Sequence, residues 1–185
     1  LLGVYSADEV RKLPTMEGIS VGDRDIIAAN VYLGARPIAE ALALDVDVVL
    51  VGRSTDAALT LGPLIHTHGW NEDDLDLLAQ GTIAGHLLEC GGQVTGAYFG
   101  DPGFKNVPNL AEVGFPIAEI EANGDIIITK ADNTGGLVSK ATVTEQILYE
   151  MHDPANYLTP DVTLDVMNVE LEEVAPDRVR LTGAK

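Results

Sequence analysis

The chain has 185 residues, enough for one compact domain with a sizeable core. Hydrophobic residues make up 46% and charged residues 22%, ordinary globular usage that argues against disorder. Acidic residues outnumber Lys and Arg 29 to 11, for a formal net charge of −18. Such a surface repels phosphate backbones and anionic lipid heads, which excludes nucleic acid and membrane surfaces as expected partners.

No apolar run approaches the roughly 20 residues of a spanning helix, and no signal-peptide pattern is present. The single Cys90 cannot form an internal disulfide. The expected address is therefore cytoplasmic, by elimination. The chain opens on Leu1-Leu2-Gly3 with no initiator Met, so it is expected to be a processed or excised piece of something longer.

Residues 1 to 29 are weakly patterned. From Ile38 to Leu44 apolar residues recur at helical spacing behind Pro37, a favourable first-turn residue. Val46 to Val51 is short and rich in β-branched residues, and it stops at Gly52. It predicts a buried central strand, parallel to a neighbour and covered on both faces. A helix is expected from Ser54 or Asp56 to Leu61, broken by Gly62-Pro63. Asn71 to Asp74 then cap a longer helix running to about Cys90, stopped by Gly91-Gly92. Gly81 and Gly85 inside it cost roughly 1 kcal/mol each against Ala, so close backbone packing is expected there.

The pattern changes near Pro102. Two alternating runs, 116–122 and 125–130, flank Asn123-Gly124 and predict a hairpin with a type I′ turn, both turn residues at positive φ. Thr142-x-x-Glu145 reads as a capping box opening a helix through Ile147 and Met151. Val162 to Val166, Val169/Leu171 and Val179/Leu181 alternate as strands, with a turn at Ala175-Pro176-Asp177. The expected fold class is α/β: a parallel-type three-layer core in the first half, then a strand-rich, partly antiparallel second half. It forms a single domain or a fragment of a larger one.

Three groups of residues carry candidate chemistry. His86, Glu89 and Cys90 stand at i, i+3 and i+4, which brings an imidazole, a carboxylate and a thiol to one side of a helix. They suit acid–base work, a Cys/His nucleophile or a metal, yet His86 and Cys90 share their stripe with Leu75, Ala79 and Ile83, the face expected to pack. Arg53 and Asp56 follow the expected central strand, where open α/β sheets bind ligands. Arg53 suits a carboxylate or phosphate; an internal ion pair with Asp56 is the structural alternative. Lys130 with Thr134-Gly135-Gly136 offers a cation beside glycine amides, although the spacing is not that of a P-loop. No residue pattern names a cofactor, and a metal is left open.

The same segments carry a resemblance. Asn30-Val31-Tyr32-Leu33-Gly34-Ala35 with Pro37-Ile38, Gly52-Arg53-x-x-Asp56-x-x-Leu59, Gly85-His86-Leu87-Leu88-Glu89-Cys90-Gly91 and Gln93-Val94-Thr95-Gly96 stand in family order. Gly114-Phe115-Pro116-Ile117, Thr134-Gly135-Gly136, the run Thr142 to Glu150 and Tyr157 to Val162 complete the series. Together, from about residue 28 onward, they resemble the acyclic terpene utilisation (AtuA) family; Ala97 departs from it, standing where the family has a second Gly. The resemblance implies a place beside citronellol and geraniol degradation through CoA thioesters, and a longer family domain of which this chain is the middle and later part. It adds Asn30 to the expected ligand-binding residues.

Two functions are expected to compete. In one, an enzyme domain acts on an acyl-CoA or carboxylate intermediate: Arg53, Lys130 and Gly135-Gly136 hold the anion, and His86, Glu89, Asp56 and Cys90 perform the chemistry. In the other, the chain is a non-catalytic subunit or assembly domain whose motifs shape an interface, in a homo-oligomer or with a partner chain. Whether His86 lies in a cleft or in the core discriminates between them. Separately, the chain alone is expected to depend on a missing N-terminal part or a partner chain to fold completely.

Overall fold

The computed structural model describes residues 5–16 and 18–185; the opening Leu1-Leu2-Gly3 lies outside the described residues. After a single-turn helix α1 (Ala7–Val10), α2 (Arg36–Leu42) begins where Pro37 favours it. The next helix, α3 (Ala58–His68), does not stop at Gly62-Pro63, contrary to the sequence expectation. Pro63 removes only its own N–H from the ladder, and Gly62 gains a close approach instead: a Cβ there would meet Ile38 at 2.7 Å. Gly69, at φ 67°, ends α3 in the left-handed conformation. Helix α4 (Leu75–Leu88) follows.

The hairpin is present as β1 (Pro116–Ile120) and β2 (Ile126–Lys130), antiparallel with Ile120 opposite Ile126. Its turn differs from the expected type I′. Gly124 has φ 87° but Asn123 is not at positive φ. Gly124 N donates to Glu121 O (2.9 Å) and Glu121 N donates to Asp125 O (3.0 Å), the pattern of a three-residue loop with one left-handed glycine. Asn123 Oδ1 accepts from Asp125 N, and Trp70 Nε1 donates to Ala122 O, fixing the turn against the helical layer.

Helix α5 (Lys140–Leu148) opens three residues before the box read from sequence, because Ser139 and Thr142 cap each other reciprocally. Strands β3 (Tyr157–Leu158) and β4 (Thr163–Leu164) form a small pair. Next come β5 (Glu170–Ala175) and β6 (Arg178–Thr182), which join the hairpin in a four-stranded sheet of order β1-β2-β6-β5, antiparallel throughout. One sheet face sends Ile126, Ile128, Val179 and Leu181 into a core shared with Ala79, Ile83 and Leu87 of α4 and Val143 and Ile147 of α5. Fully burying each large side chain contributes about 1.5–3 kcal/mol. A second cluster, Ala35, Ile38, Ala58, Leu61, Trp70 and Leu78, joins α2, α3 and the start of α4.

The fold is thus α/β, with the antiparallel second half expected, but the parallel core of the first half is not formed. Among the described residues the only parallel pairings are the isolated bridges Leu33–Ser54 and Val113–Gly135. Val46 to Val51 is an irregular segment that makes no backbone hydrogen bond among the described residues, and Val48 and Leu50 are 80% and 95% exposed. Its apolar composition suits a strand, but no neighbouring backbone reaches it, and a strand exists only where a partner completes its ladder. Val48→Lys and Leu50→Lys are accordingly expected to leave the thermal midpoint of this chain almost unmoved, within about 0.5 kcal/mol. A melt lowered by several degrees would restore the buried strand.

The two glycines of α4 behave as the sequence suggests. A Cβ on Gly85 would meet Ala57 O at 2.6 Å and Ala57 Cα at 2.7 Å, whereas one on Gly81 would meet Leu61 Cδ1 at 2.5 Å. Backbone cannot swing aside; a leucine methyl can. Gly85→Ala is therefore expected to destabilise by about 1–3 kcal/mol despite its better helix propensity. Gly81→Ala should fall within about 1 kcal/mol of neutral, as paired denaturant titrations would read.

Candidate active site

Three chain segments meet at an open cleft of about 480 Å³. Asp56 and Leu59 come from the start of α3, Glu89 and Cys90 from the end of α4, and Tyr149 and Glu150 from the end of α5. Gly85 lines the floor, and its missing side chain is what lets α4 approach Ala57 and bring Glu89 to Asp56.

Glu89 is half-buried, and its pKa is pushed up to about 7, first by desolvation and then by a hydrogen bond with the Asp56 carboxyl. The charges of Asp56 and Glu150 add to the same effect. The helix ends favour the proton on Glu89. Asp56 precedes the positive end of α3; Glu89 caps the negative end of α4. Glu89 is the proton holder. Cys90 Sγ donates to Glu89 Oε1 (3.3 Å), and desolvation together with that carboxyl pushes the thiol up to about 11. A thiol so placed is a donor, not a nucleophile.

Glu150 reaches the cleft through a left-handed backbone, φ 55°, just past α5. The adjacent Tyr149 hydroxyl is raised above its ordinary range, mainly by the Glu150 charge. Both residues close the sequence run Thr142 to Glu150 but were not singled out from sequence. The signal that could have found them is a tyrosine–glutamate pair following the last apolar residue of a helix.

His86 is not in the cleft. It is 3% exposed, and its Nε2 lies 2.9 Å from Gln146 O and 3.2 Å from Ile147 O, both acceptors, so Nε2 carries the hydrogen. Gln146 Nε2 returns a bond to His86 O at 3.1 Å. Tyr157 packs edge-on against the imidazole. Burial holds the ring below its ordinary pKa, against the opposing pull of the two carbonyls. His86 is the pin between α4 and α5, and the helix face it shares with Ile83 is the packed one.

The proposed anion ligands also lie apart. Arg53 stacks over Tyr32 (5.4 Å to the ring centre) and, among the described residues, makes no ion pair with Asp56. Asn30 is exposed on the preceding segment. Lys130 is 8% exposed, pairs with Asp177 at 3.3 Å and donates to Thr134 O at 3.0 Å. Gly135 N and Gly136 N donate to Glu112 O and Pro108 O, and a Cβ on Gly135 would collide with Asn109 O. Those amides are spent on backbone, so this loop is a tight chain crossing. Among the described residues no group of three or more His, Cys, Asp or Glu side chains is arranged to hold a metal ion. No helix there is long and apolar enough to cross a membrane.

A separate hollow of about 820 Å³ lies between α2 and Trp70, but its Arg36 is engaged by Glu40 and Glu72. Asp161, at its edge, accepts Ala35 N–H on both oxygens (2.8 and 3.0 Å), tying the segment Tyr157 to Val162 to the start of α2. That hollow holds structural ion pairs where the cleft holds a carboxyl pushed up to about 7.

No curated protein and no solved structure matches this chain. The family model for the acyclic terpene utilisation family protein AtuA matches residues 4–185, beginning earlier than the motifs read from about residue 28. With nearly its whole length covered, and with Asp56, Glu89 and Glu150 gathered from three motif-bearing segments, the chain belongs to the acyclic terpene utilisation (AtuA) family.

Proposed function

We propose that this domain is an acid–base enzyme of acyclic terpene breakdown that acts on a neutral carbonyl, with an acyl thioester as the substrate class. The observation that carries the reading is Glu89 beside Asp56 in an open cleft, its carboxyl pushed up to about 7. In the reaction, Asp56 takes a proton from the carbon beside the thioester carbonyl. The electron pair moves into the carbonyl, and Glu89 gives its proton to the oxygen. The product is an enol; it returns to a thioester when Asp56 gives its proton back to the same carbon and the enol hydroxyl returns its proton to Glu89.

The cleft's charges select for that substrate. Its lining contains Asp56, Glu89 and Glu150 and no Lys or Arg, so a free carboxylate is repelled while a neutral thioester is not. The anionic remainder of a coenzyme A ester would lie outside the cleft. Turnover, or exchange of the α-hydrogen for deuterium, on medium-chain acyl-CoA esters tests the reading: exchange lost in Asp56→Asn supports it, and exchange unaffected by that change refutes it.

A second reading, a non-catalytic subunit or assembly domain, has its own support, because His86 lies in the core and not in the cleft. Ile27, Val48 and Leu50 are 96%, 80% and 95% exposed, and large apolar side chains left this open are surface that association would bury. In that reading the domain works within a homo-oligomer or against a partner chain. Sedimentation at micromolar concentration checks it directly: a monomer at all concentrations speaks against the homo-oligomer.

A further inference from the structure

Beside the acid–base cleft lies a second hollow, of about 720 Å³, and Tyr149 lines both. Its walls are Tyr98 on one side and Ala141, Thr144, Leu148 and Tyr149 of α5 on the other. Tyr98 and Leu148 are large side chains left 62% and 55% exposed, and the two tyrosine rings meet edge-on at 5.7 Å. Leaving this much apolar surface open along a helix otherwise packed into the core forgoes burial, which an apolar ligand would restore. The trough follows α5 from Lys140 to Tyr149, about 13 Å at 1.5 Å per residue. Lys140 and Glu145 stand at its polar rim, and Glu145 is already paired with Lys105 at 3.2 Å.

We infer that this trough is the subsite for the substrate's apolar tail: a medium-length aliphatic chain lies along α5 between Tyr98 and Leu148, while its neutral polar head enters the Asp56–Glu89 cleft past Tyr149. The inference rests on the acid–base reading of that cleft for the head, and on the apolar trough for the tail. Tyr149, which belongs to the lining of both hollows, is the ground for assigning the trough to the tail of the same small molecule. A trough on the remote face of the sheet would carry no such assignment. Leu148 then sets chain-length preference without touching the reacting atoms.

The experiment uses neutral alkyl probes that need no turnover, 1-butanol, 1-hexanol and 1-decanol, with binding to the intact chain followed by amide chemical-shift titration. Wild type is expected to bind 1-decanol at least tenfold tighter than 1-butanol, with shifts along 140–149 and at Tyr98. Leu148→Asp should remove most of that preference, Leu148→Met should keep it, and neither should change the melting temperature by more than a few degrees. Binding that is absent, indifferent to chain length, or equally strong in Leu148→Asp overturns the inference. The two readings fail separately. If Asp56→Asn abolishes α-hydrogen exchange while Leu148→Asp leaves chain preference intact, the trough assignment falls and the chemistry stands. If Leu148→Asp erases the preference while Asp56→Asn leaves exchange unaffected, the trough stands and the chemistry falls.

Discussion

Glu89→Gln is expected to lower turnover of an acyl thioester by roughly 10²- to 10⁴-fold, the ordinary contribution of a positioned general acid. Gln keeps the shape and a hydrogen-bond donor toward Asp56, so the loss reports the proton and not the packing. In wild type, kcat/KM should fall as pH rises through about 7, where Glu89 loses its proton, and the variant should lack that limb. Stability gives an independent readout. A carboxyl whose pKa is raised on folding binds its proton more tightly in the native state. Its stabilisation is complete below the unfolded value of about 4.5 and is lost as pH climbs through about 7. The unfolding free energy of wild type minus that of Glu89→Gln should therefore fall as pH rises across that window and be flat above it. A wild-type Glu89 that titrates near 4.5, read by carboxyl carbon shifts, would remove the basis of the proposed chemistry.

Much of the second half was legible because each element there carries its own local signal. Alternating runs around Asn123-Gly124, a serine or threonine cap before an apolar stripe, and strands separated by Pro176-Asp177 are short-range patterns that short-range structure obeys. The first half was misread for the opposite reason. Val46 to Val51 has the composition of a buried parallel strand, but a parallel strand is made by neighbours distant in sequence, and composition cannot supply them. The site shows the same division. Glu89, Cys90 and Asp56 were found from helical spacing and from the loop after the expected strand, and they do share one cleft. Lys130 and Gly135-Gly136 were read as anion ligands because a cation and glycines lay close in sequence. Which carbonyls consume their bonds depends on Thr134, Asp177, Glu112 and Pro108. Glycine at 135 reflects the crowding of Asn109, not the approach of a phosphate.

His86 separates site from scaffold most sharply. His86→Ala is expected to destabilise the chain by about 2–4 kcal/mol, because it empties a fully packed ring volume and leaves Gln146 O and Ile147 O facing a void. Its pH signature runs opposite to that of Glu89. Burial lowers the imidazole pKa, so the unfolded state binds the proton more readily. The ring's contribution is present above the unfolded value of about 6.5 and is lost as pH falls, as the buried imidazole is forced to charge. His86→Ala should thus cost most at pH 7 to 8 and progressively less toward pH 5, a trend that denaturant titrations at several pH values would trace. The cleft lies one turn further along α4, held by Asp56 and Gly85 as well as by α5, so Glu89 should keep its raised pKa in His86→Ala at a temperature where the variant is folded. A Glu89 that returns to the ordinary carboxylate range in that variant would place His86 among the groups that raise it. An unchanged Glu89 with a lower melt assigns the imidazole to the contact between α4 and α5, on which the cleft is built.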